Sequence, residues 1–285
     1  MLKQMSKNNQ IIAAILALFI IAGGVSWIRA HHLSSGIKLQ CDIPETPETL
    51  AKLVLIKETY DGGEAYLFAK RFAGFTWHSG GASSTDRHEL FCGLYNLTFY
   101  GSGMSHFEFN MPSKERYKTE HLSETQCIEK ANQQINEIRD YFNSSLEYRV
   151  SKVEQIYPYT GTNGINSLNN RYYRIHYDIY YEGIELLGKG TDAWVEVCDN
   201  EILGYHLHFP VLEERGVDEV YLTPIDALNR LETGSVVKEV KFGYYTDFVY
   251  SDYGSVVEYG YLVKGNLDGE LLIQFVSAMA GNAYR

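Results

Sequence analysis

The chain has 285 residues, 45% hydrophobic and 14% aromatic, enough apolar surface for real cores and too much for disorder on a large scale. Setting aside the first 29 residues, which hold Lys3, Lys7 and Arg29 and no acid, leaves 22 basic against 36 acidic residues, a balance of −14. A body of that charge is repelled by phosphate backbones, which disfavours nucleic acid as a partner.

The first element is an apolar run. Ile11 to Ile28 contains no charge over 18 residues, close to the ~20 residues that cross a bilayer as a helix. Lys3 and Lys7 precede it, and positive charge stays on the cytoplasmic side. The run therefore predicts a cytoplasmic N-terminus (1–10), a transmembrane helix (11–29) in contact with lipid, a juxtamembrane linker (30–45) and an extracytoplasmic bulk at the cell membrane. A cleaved signal peptide competes with this reading, although Ile28-Arg29-Ala30 is a poor small-x-small cleavage site. Whether the segment is cleaved stays open. A buried core helix fits less well, because the run is apolar on all sides.

Thr46-Pro47-Glu48 has the form of a helix start, with an N-cap, Pro at the first helical position and an acid in the first turn. It predicts a helix to about Thr59, ended by Asp61-Gly62-Gly63. Strand-like runs follow at Ala65–Ala69, Phe72–Trp77, Glu89–Tyr100 and Ser105–Asn110. A flexible loop at 79–84 separates them. This is a first α+β unit over 46–112. Polar residues from Met111 to Glu120 mark a boundary.

A second unit spans 121–210. Ser123-Glu124-Thr125-Gln126 reads as a capping box, and Ile128, Ala131, Ile135, Ile138 and Phe142 recur at steps of three and four. They predict an amphipathic helix of about five turns. A strand at Tyr148–Tyr157 and a Gly/Asn-rich loop at 160–170 precede the clearest pattern in the chain. From Arg171 to Glu182, Tyr173, Ile175, Tyr177, Ile179 and Tyr181 alternate with Tyr172, Arg174, His176, Asp178 and Tyr180. Ala193, Val195 and Val197 alternate with Asp192, Trp194 and Glu196, and Leu203, Tyr205, Leu207 and Phe209 with Gly204, His206 and His208. Period two predicts strands with a dry and a wet face, the last two joined by a turn at Asp199-Asn200. The helix is expected to cover the dry face.

A third unit, 220–285, is expected to pack with the second. Thr223-Pro224-Ile225-Asp226 starts a short helix, and strands follow at Val236–Tyr250, Val256–Lys264 and Glu270–Ser277 around a turn at 266–269. The fold class is α+β: a transmembrane helix, then two to three units of one helix plus an antiparallel meander.

No catalytic signature stands out, and no cofactor is implied. His206 and His208, two apart on a strand, point the same way and are weak candidates for a metal beside carboxylates; a solvated mixed-charge face is the plainer explanation. His31-His32 fits a linker. His78, Ser79, Ser83, Asp86 and His88 lack the strand-turn-helix context of a nucleophile site. The 161–164 segment is not followed by the Lys of a phosphate loop. Asn96-Leu97-Thr98 and Asn143-Ser144-Ser145 match the glycosylation pattern, and Asn143 more simply ends the helix. Tyr172, Tyr180 and Trp194, on the wet parity, form a possible interaction surface for a protein or a glycan, unless a neighbouring unit packs there. Cys41, Cys92, Cys127 and Cys198 show no C-x-x-C spacing; outside the cytoplasm they allow one or two disulfides of undefined pairing.

Gly190–Val197 leading into Asp199-Asn200-Glu201-Ile202-Leu203-Gly204-Tyr205, then Tyr221–Leu228, Glu258–Val263 and Ile273–Ala278, resemble PepSY-like repeats and the YycH/YycI regulators of Gram-positive bacteria. The resemblance is best over Ser123–Arg285 and weak over Cys41–Asn110. It implies a non-enzymatic extracytoplasmic body that associates with a sensor histidine kinase, or with a paralogous regulator, and tunes signalling about the cell wall. It carries over no site residue. The expected function is therefore that of a membrane-anchored regulator of a two-component system. A metal- or peptidase-associated module and a wall-glycan binder are the alternatives.

Overall fold

The computed structural model describes residues 33, 36–56, 62–72, 87–92, 95–100, 106–110, 122–157, 172–198, 201–220, 222–247 and 254–279. The expected membrane span at 11–29, His31-His32, His78, the 79–84 loop, Asp86, the 160–170 loop and the Asp199-Asn200 turn lie outside the described residues. Among the described residues no helix is long and apolar enough to cross a membrane.

The fold is mixed α+β and mostly sheet. Its strands are β1 (Lys38–Leu39), β2 (Thr49–Ile56), β3 (Arg87–Cys92), β4 (Tyr95–Tyr100), β5 (His106–Asn110), β6 (Glu147–Ile156), β7 (Tyr172–Tyr181), β8 (Ile184–Leu187), β9 (Ala193–Cys198), β10 (Glu201–His208), β11 (Val211–Glu219), β12 (Val236–Tyr245), β13 (Val256–Leu267) and β14 (Glu270–Ser277). Its helices are α1 (Gly62–Phe72), α2 (Glu124–Tyr141) and α3 (Pro224–Leu228). Each helix is followed in the chain by antiparallel strands.

The chain divides into two compact units that are not consecutive in sequence. The larger comprises Thr49–Asp218 and Gly243–Tyr259; the smaller comprises Met1–Glu48, Glu219–Phe242 and Gly260–Arg285. These bounds differ from the serial partition 46–112, 121–210 and 220–285.

In the larger unit β7 is the hub. Along one edge β6 runs antiparallel to it, Glu147 opposite Tyr180 and Ile156 opposite Tyr172. Along the other, its first half pairs with β9 and its end turns tightly into β8. Antiparallel pairing continues from β9 through β10, β5 and β4 to β3. The expected dry parity holds for Tyr173, Ile175, Tyr177, Ile179, Tyr181, Ala193, Val195, Val197, Tyr205, Leu207 and Phe209, all of them buried, while Leu203 at the β10 bulge is buried in a separate cluster with Tyr172 and Cys198.

Helix α2 begins where the capping box places it. The Ser123 hydroxyl accepts from the Gln126 amide at 3.3 Å, and Gln126 Oε1 accepts from the Ser123 amide at 3.0 Å. Its stripe of Cys127, Ala131, Ile135 and Ile138 is buried, and the helix lies on β7 and β9. Burying Ile135 and Ile138 stabilises the layer by about 1.5–3 kcal/mol each. Tyr177 reaches out of the sheet to donate to Asn132 Oδ1 at 2.9 Å.

The N-terminal part of this unit corrects the sequence reading. Thr49–Ile56 is a strand where a helix is expected, and Gly62–Phe72 is a helix where strands at Ala65–Ala69 and from Phe72 are expected. Leu53, Val54 and Leu55 are buried in succession. That suits a strand covered on both faces, not a helical stripe. Leu53 and Val54 pair with Val257 and Val256, two hundred residues away, and this pairing overrides the local Thr-Pro signal. The expected Glu89–Tyr100 run is a hairpin of β3 and β4. Strand β11 went unrecognised because its charged, solvent-facing sequence shows no alternation.

The smaller unit follows its sequence more closely. The Thr223 hydroxyl caps α3 by accepting from the Asp226 amide at 3.2 Å. β1 runs parallel to the start of β12, Lys38 beside Val236. β13 and β14 form a hairpin in which Leu267 opposes Glu270, closed by Asp268 and Gly269 at φ 52° and 87°; two consecutive left-handed residues are the tight hairpin turn whose twist matches the strands. Tyr261 donates its hydroxyl to the Leu222 carbonyl at 2.8 Å within a core that includes Ala227, Leu228, Val237 and Val263.

Candidate functional site

The residues singled out for function lie on the side of β6, β7, β9 and β10 opposite α2. Pairing brings β6 into this face; Arg149 and Glu154 are of opposite parity and share it only because β6 bulges between Val150 and Lys152, which the sequence pattern does not show.

Arg174 anchors the face. Its Nη2 and Nε donate to Glu196 Oε1 at 2.6 and 3.0 Å across the β7–β9 pair. Glu196 is buried, a departure from the expected wet face, and an ionised carboxylate there requires such a partner. The guanidinium also lies over the Trp194 ring, 4.7 Å from its centre. From the opposite flank, His206 of β10 stacks on Trp194 at 5.8 Å with 14° between the planes. Trp194 is thus held between cation and imidazole, supplied by the two strands that flank β9. His206 Nε2 lies 3.5 Å from Asp192 Oδ2.

Toward the β6 edge the pattern repeats. His176 Nε2 meets Glu154 Oε2 at 3.0 Å, and the Lys152 ammonium meets Glu154 Oε1. Lys152, and then His176, hold the Glu154 carboxyl down at about 2, because both stabilise its charged form. Arg149 pairs with Glu147 at 2.7 Å and lies 4.1 Å over the Tyr180 ring.

The three aromatics nominated as an interaction surface have different fates. Tyr172 is buried in an apolar cluster with Cys198 and Leu203, against which Ile156 packs, so it is not a surface residue. Its parity is that of the wet face, but β10 bulges between Ile202 and Gly204 and carries apolar atoms over this end of the sheet. Tyr180 and Trp194 are half-buried beneath Arg149 and Arg174. The histidine pair is also divided by environment. His208 is fully buried, contrary to the expected wet position, while His206 sits with Trp194 and Asp192. Among the described residues no group of three or more His, Cys, Asp or Glu is placed to hold a metal. Cys127 and Cys198 are buried and Cys41 is half-buried, with burial pushing the Cys41 thiol up. His88 and Cys92 are placed only as backbone positions of β3.

The face is a ladder of cross-strand pairs in which cations, carboxylates and rings satisfy one another. It gives the sheet register and a patterned, half-buried polar surface.

No protein-family model matches the chain, and no curated protein matches it. Among solved structures, an uncharacterized protein from Eubacterium rectale is similar over 88% of this chain and 91% of its own, with a TM-score of 0.52 and 11% identity. At that identity the likeness is one of fold. The YpeB C-terminal domain from Bacillus megaterium matches 79% of this chain and 95% of its own, with a TM-score of 0.39 and 13% identity. YycH from Bacillus subtilis matches 81% of this chain and 53% of its own, with a TM-score of 0.38 and 11% identity.

Proposed function

We propose that the chain is a membrane-anchored, extracytoplasmic and non-enzymatic regulator. It acts by contact with a membrane protein partner, a sensor histidine kinase or a paralogous regulator of a two-component system linked to the cell wall. The observation that carries this reading is the uncharged 18-residue run behind Lys3 and Lys7, followed by a mixed α+β body in which each helix precedes antiparallel strands. The resemblance of Gly190–Val197 with Asp199–Tyr205, Tyr221–Leu228, Glu258–Val263 and Ile273–Ala278 to the YycH/YycI regulators and PepSY-like repeats supports it. The polar ladder suits contact rather than turnover, since Arg174, Glu196, His176 and Glu154 are engaged with each other.

The alternatives have less support. A metal-associated or peptidase-associated module would have to use His206 and His208, which occupy different environments. A wall-glycan binder would need a ring face, and Trp194 is flanked by Arg174 and His206.

The test is capture of the full chain from native membranes in mild detergent after brief cross-linking. A sensor kinase or a related regulator is expected in the captured fraction, and recovery of no membrane protein counts against the reading. Topology is checked with Thr125→Cys, on the exposed first turn of α2. An impermeant thiol reagent is expected to label it on intact cells, and labelling only after lysis refutes the extracytoplasmic placement.

A further inference from the structure

Strand β14 is a sheet edge without the usual protection. Among the described residues it pairs with β13 alone. Its sequence, ELLIQFVS, has Glu270 as its only charge and contains neither Pro nor Lys. Leu271 and Ile273 are 76% and 59% exposed, and they share a face with the half-buried Phe275. Natural sheets keep such edges from pairing by adding charges, prolines or bulges. β6, which among the described residues pairs only with β7, does so: it carries Glu147, Arg149, Lys152 and Glu154 and bulges between Val150 and Lys152. β14 has none of these devices beyond its first residue, and it pairs in register with β13 along its whole length.

We propose that β14 pairs antiparallel with β14 of a second copy of this chain, with Ile273 on the two-fold axis. An axis normal to the sheet keeps equivalent faces together, so the exposed apolar side chains of both copies fall on one side. Centred at Ile273, Leu271 opposes Phe275 and Ile273 opposes its own copy, matching apolar with apolar on the exposed face. Leu272 opposes Gln274 on the other face. Glu270 opposes Val276, so the two acids lie at opposite ends and no like charges face each other. Centring at Gln274 instead sets Leu271 against Ser277 and loses that match, and side-chain pattern selects register in this way. The contact is small beside the about 1,200 Å² of a stable interface, so the dimer is reversible and concentration-dependent. The pairing rests on β14 alone and does not depend on the regulatory reading.

The test uses the full chain in mild detergent, with molar mass followed over a concentration series. A monomer–dimer equilibrium is expected. Ile273→Lys places two ammonium groups on the axis and is expected to weaken the dimer by on the order of ten-fold or more. Its circular dichroism should be unchanged, because the side chain is largely exposed. With a copper–phenanthroline oxidant, Ile273→Cys is expected to give a disulfide-linked dimer that neither the parent chain nor Thr125→Cys forms. A strictly monomeric chain without that cross-link, a dimer indifferent to Ile273→Lys, or cross-linking of Ile273→Cys only to a different protein would each overturn the proposal.

Discussion

Glu196 and Glu154 show how two carboxylates on one sheet differ with burial. The Glu196 side chain is 2% exposed and depends on Arg174, whose own side chain is 32% exposed. Breaking a buried pair costs about 3–5 kcal/mol; discounted for the part of Arg174 in water, Arg174→Met is expected to destabilise the larger unit by about 2–3 kcal/mol. Glu196→Gln, which keeps the shape and an acceptor, should cost less. Urea unfolding followed through tryptophan fluorescence checks both. Glu154 is more exposed, and its carboxyl is held at about 2 against an ordinary 4.5. A depressed pKa contributes stability above pH 4.5 that disappears as pH falls toward 2. Over that window the parent chain is expected to lose more stability than Glu154→Gln, with parallel behaviour at higher pH, as read from urea midpoints against pH. Solvent screens the pair, so the difference should be small and should shrink further in salt.

At the scale of elements, the same local signal had two outcomes. Thr223-Pro224 starts a helix and Thr46-Pro47 does not. Capping chemistry permits a helix but does not require one; the distant partners Val256 and Val257 are present for β2 and decide the matter. Where signal and burial agree, as in α2, sequence was sufficient. Ser123→Ala should cost about 1 kcal/mol by removing the cap of the Gln126 amide. Two glycines near β8 provide a sharper comparison. Gly183 has φ +80° with open space around an added Cβ, whereas Gly188 has φ +109° and an added Cβ would sit 2.2 Å from the Thr246 carbonyl oxygen. Gly183→Ala is expected to cost about 1 kcal/mol, from backbone conformation alone. Gly188→Ala should cost distinctly more, because backbone must move. Equilibrium unfolding of the two variants measures the difference.

At the scale of the whole molecule, the chain returns once to its larger unit and twice to its smaller one. The larger needs residues 243–245 beside β8 and 256–257 beside β2, contributed long after its main segment has ended. A fragment of residues 122–210, which reads as self-contained in sequence, lacks Phe68, a fully buried ring against Tyr141 and Phe142, and lacks β5 beside β10. It is therefore expected to show poor amide dispersion by NMR and no cooperative melt, and a sharp two-state melt would contradict this interleaving. By itself the sequence determined the dry faces of β7, β9 and β10, the helix that covers them, and the cap and hairpin of the C-terminal strands, because periodicity and capping are local. It could not determine which wet-parity residues stay wet. Tyr172, Glu196 and His208 are all buried; the β10 bulge near Tyr172 and the cross-strand guanidinium on Glu196 leave no mark within a few residues of either position. Tertiary structure alone decided the helix–strand exchange over 49–72 and the ownership of strand ends by the two units, since both follow from pairings that span much of the chain.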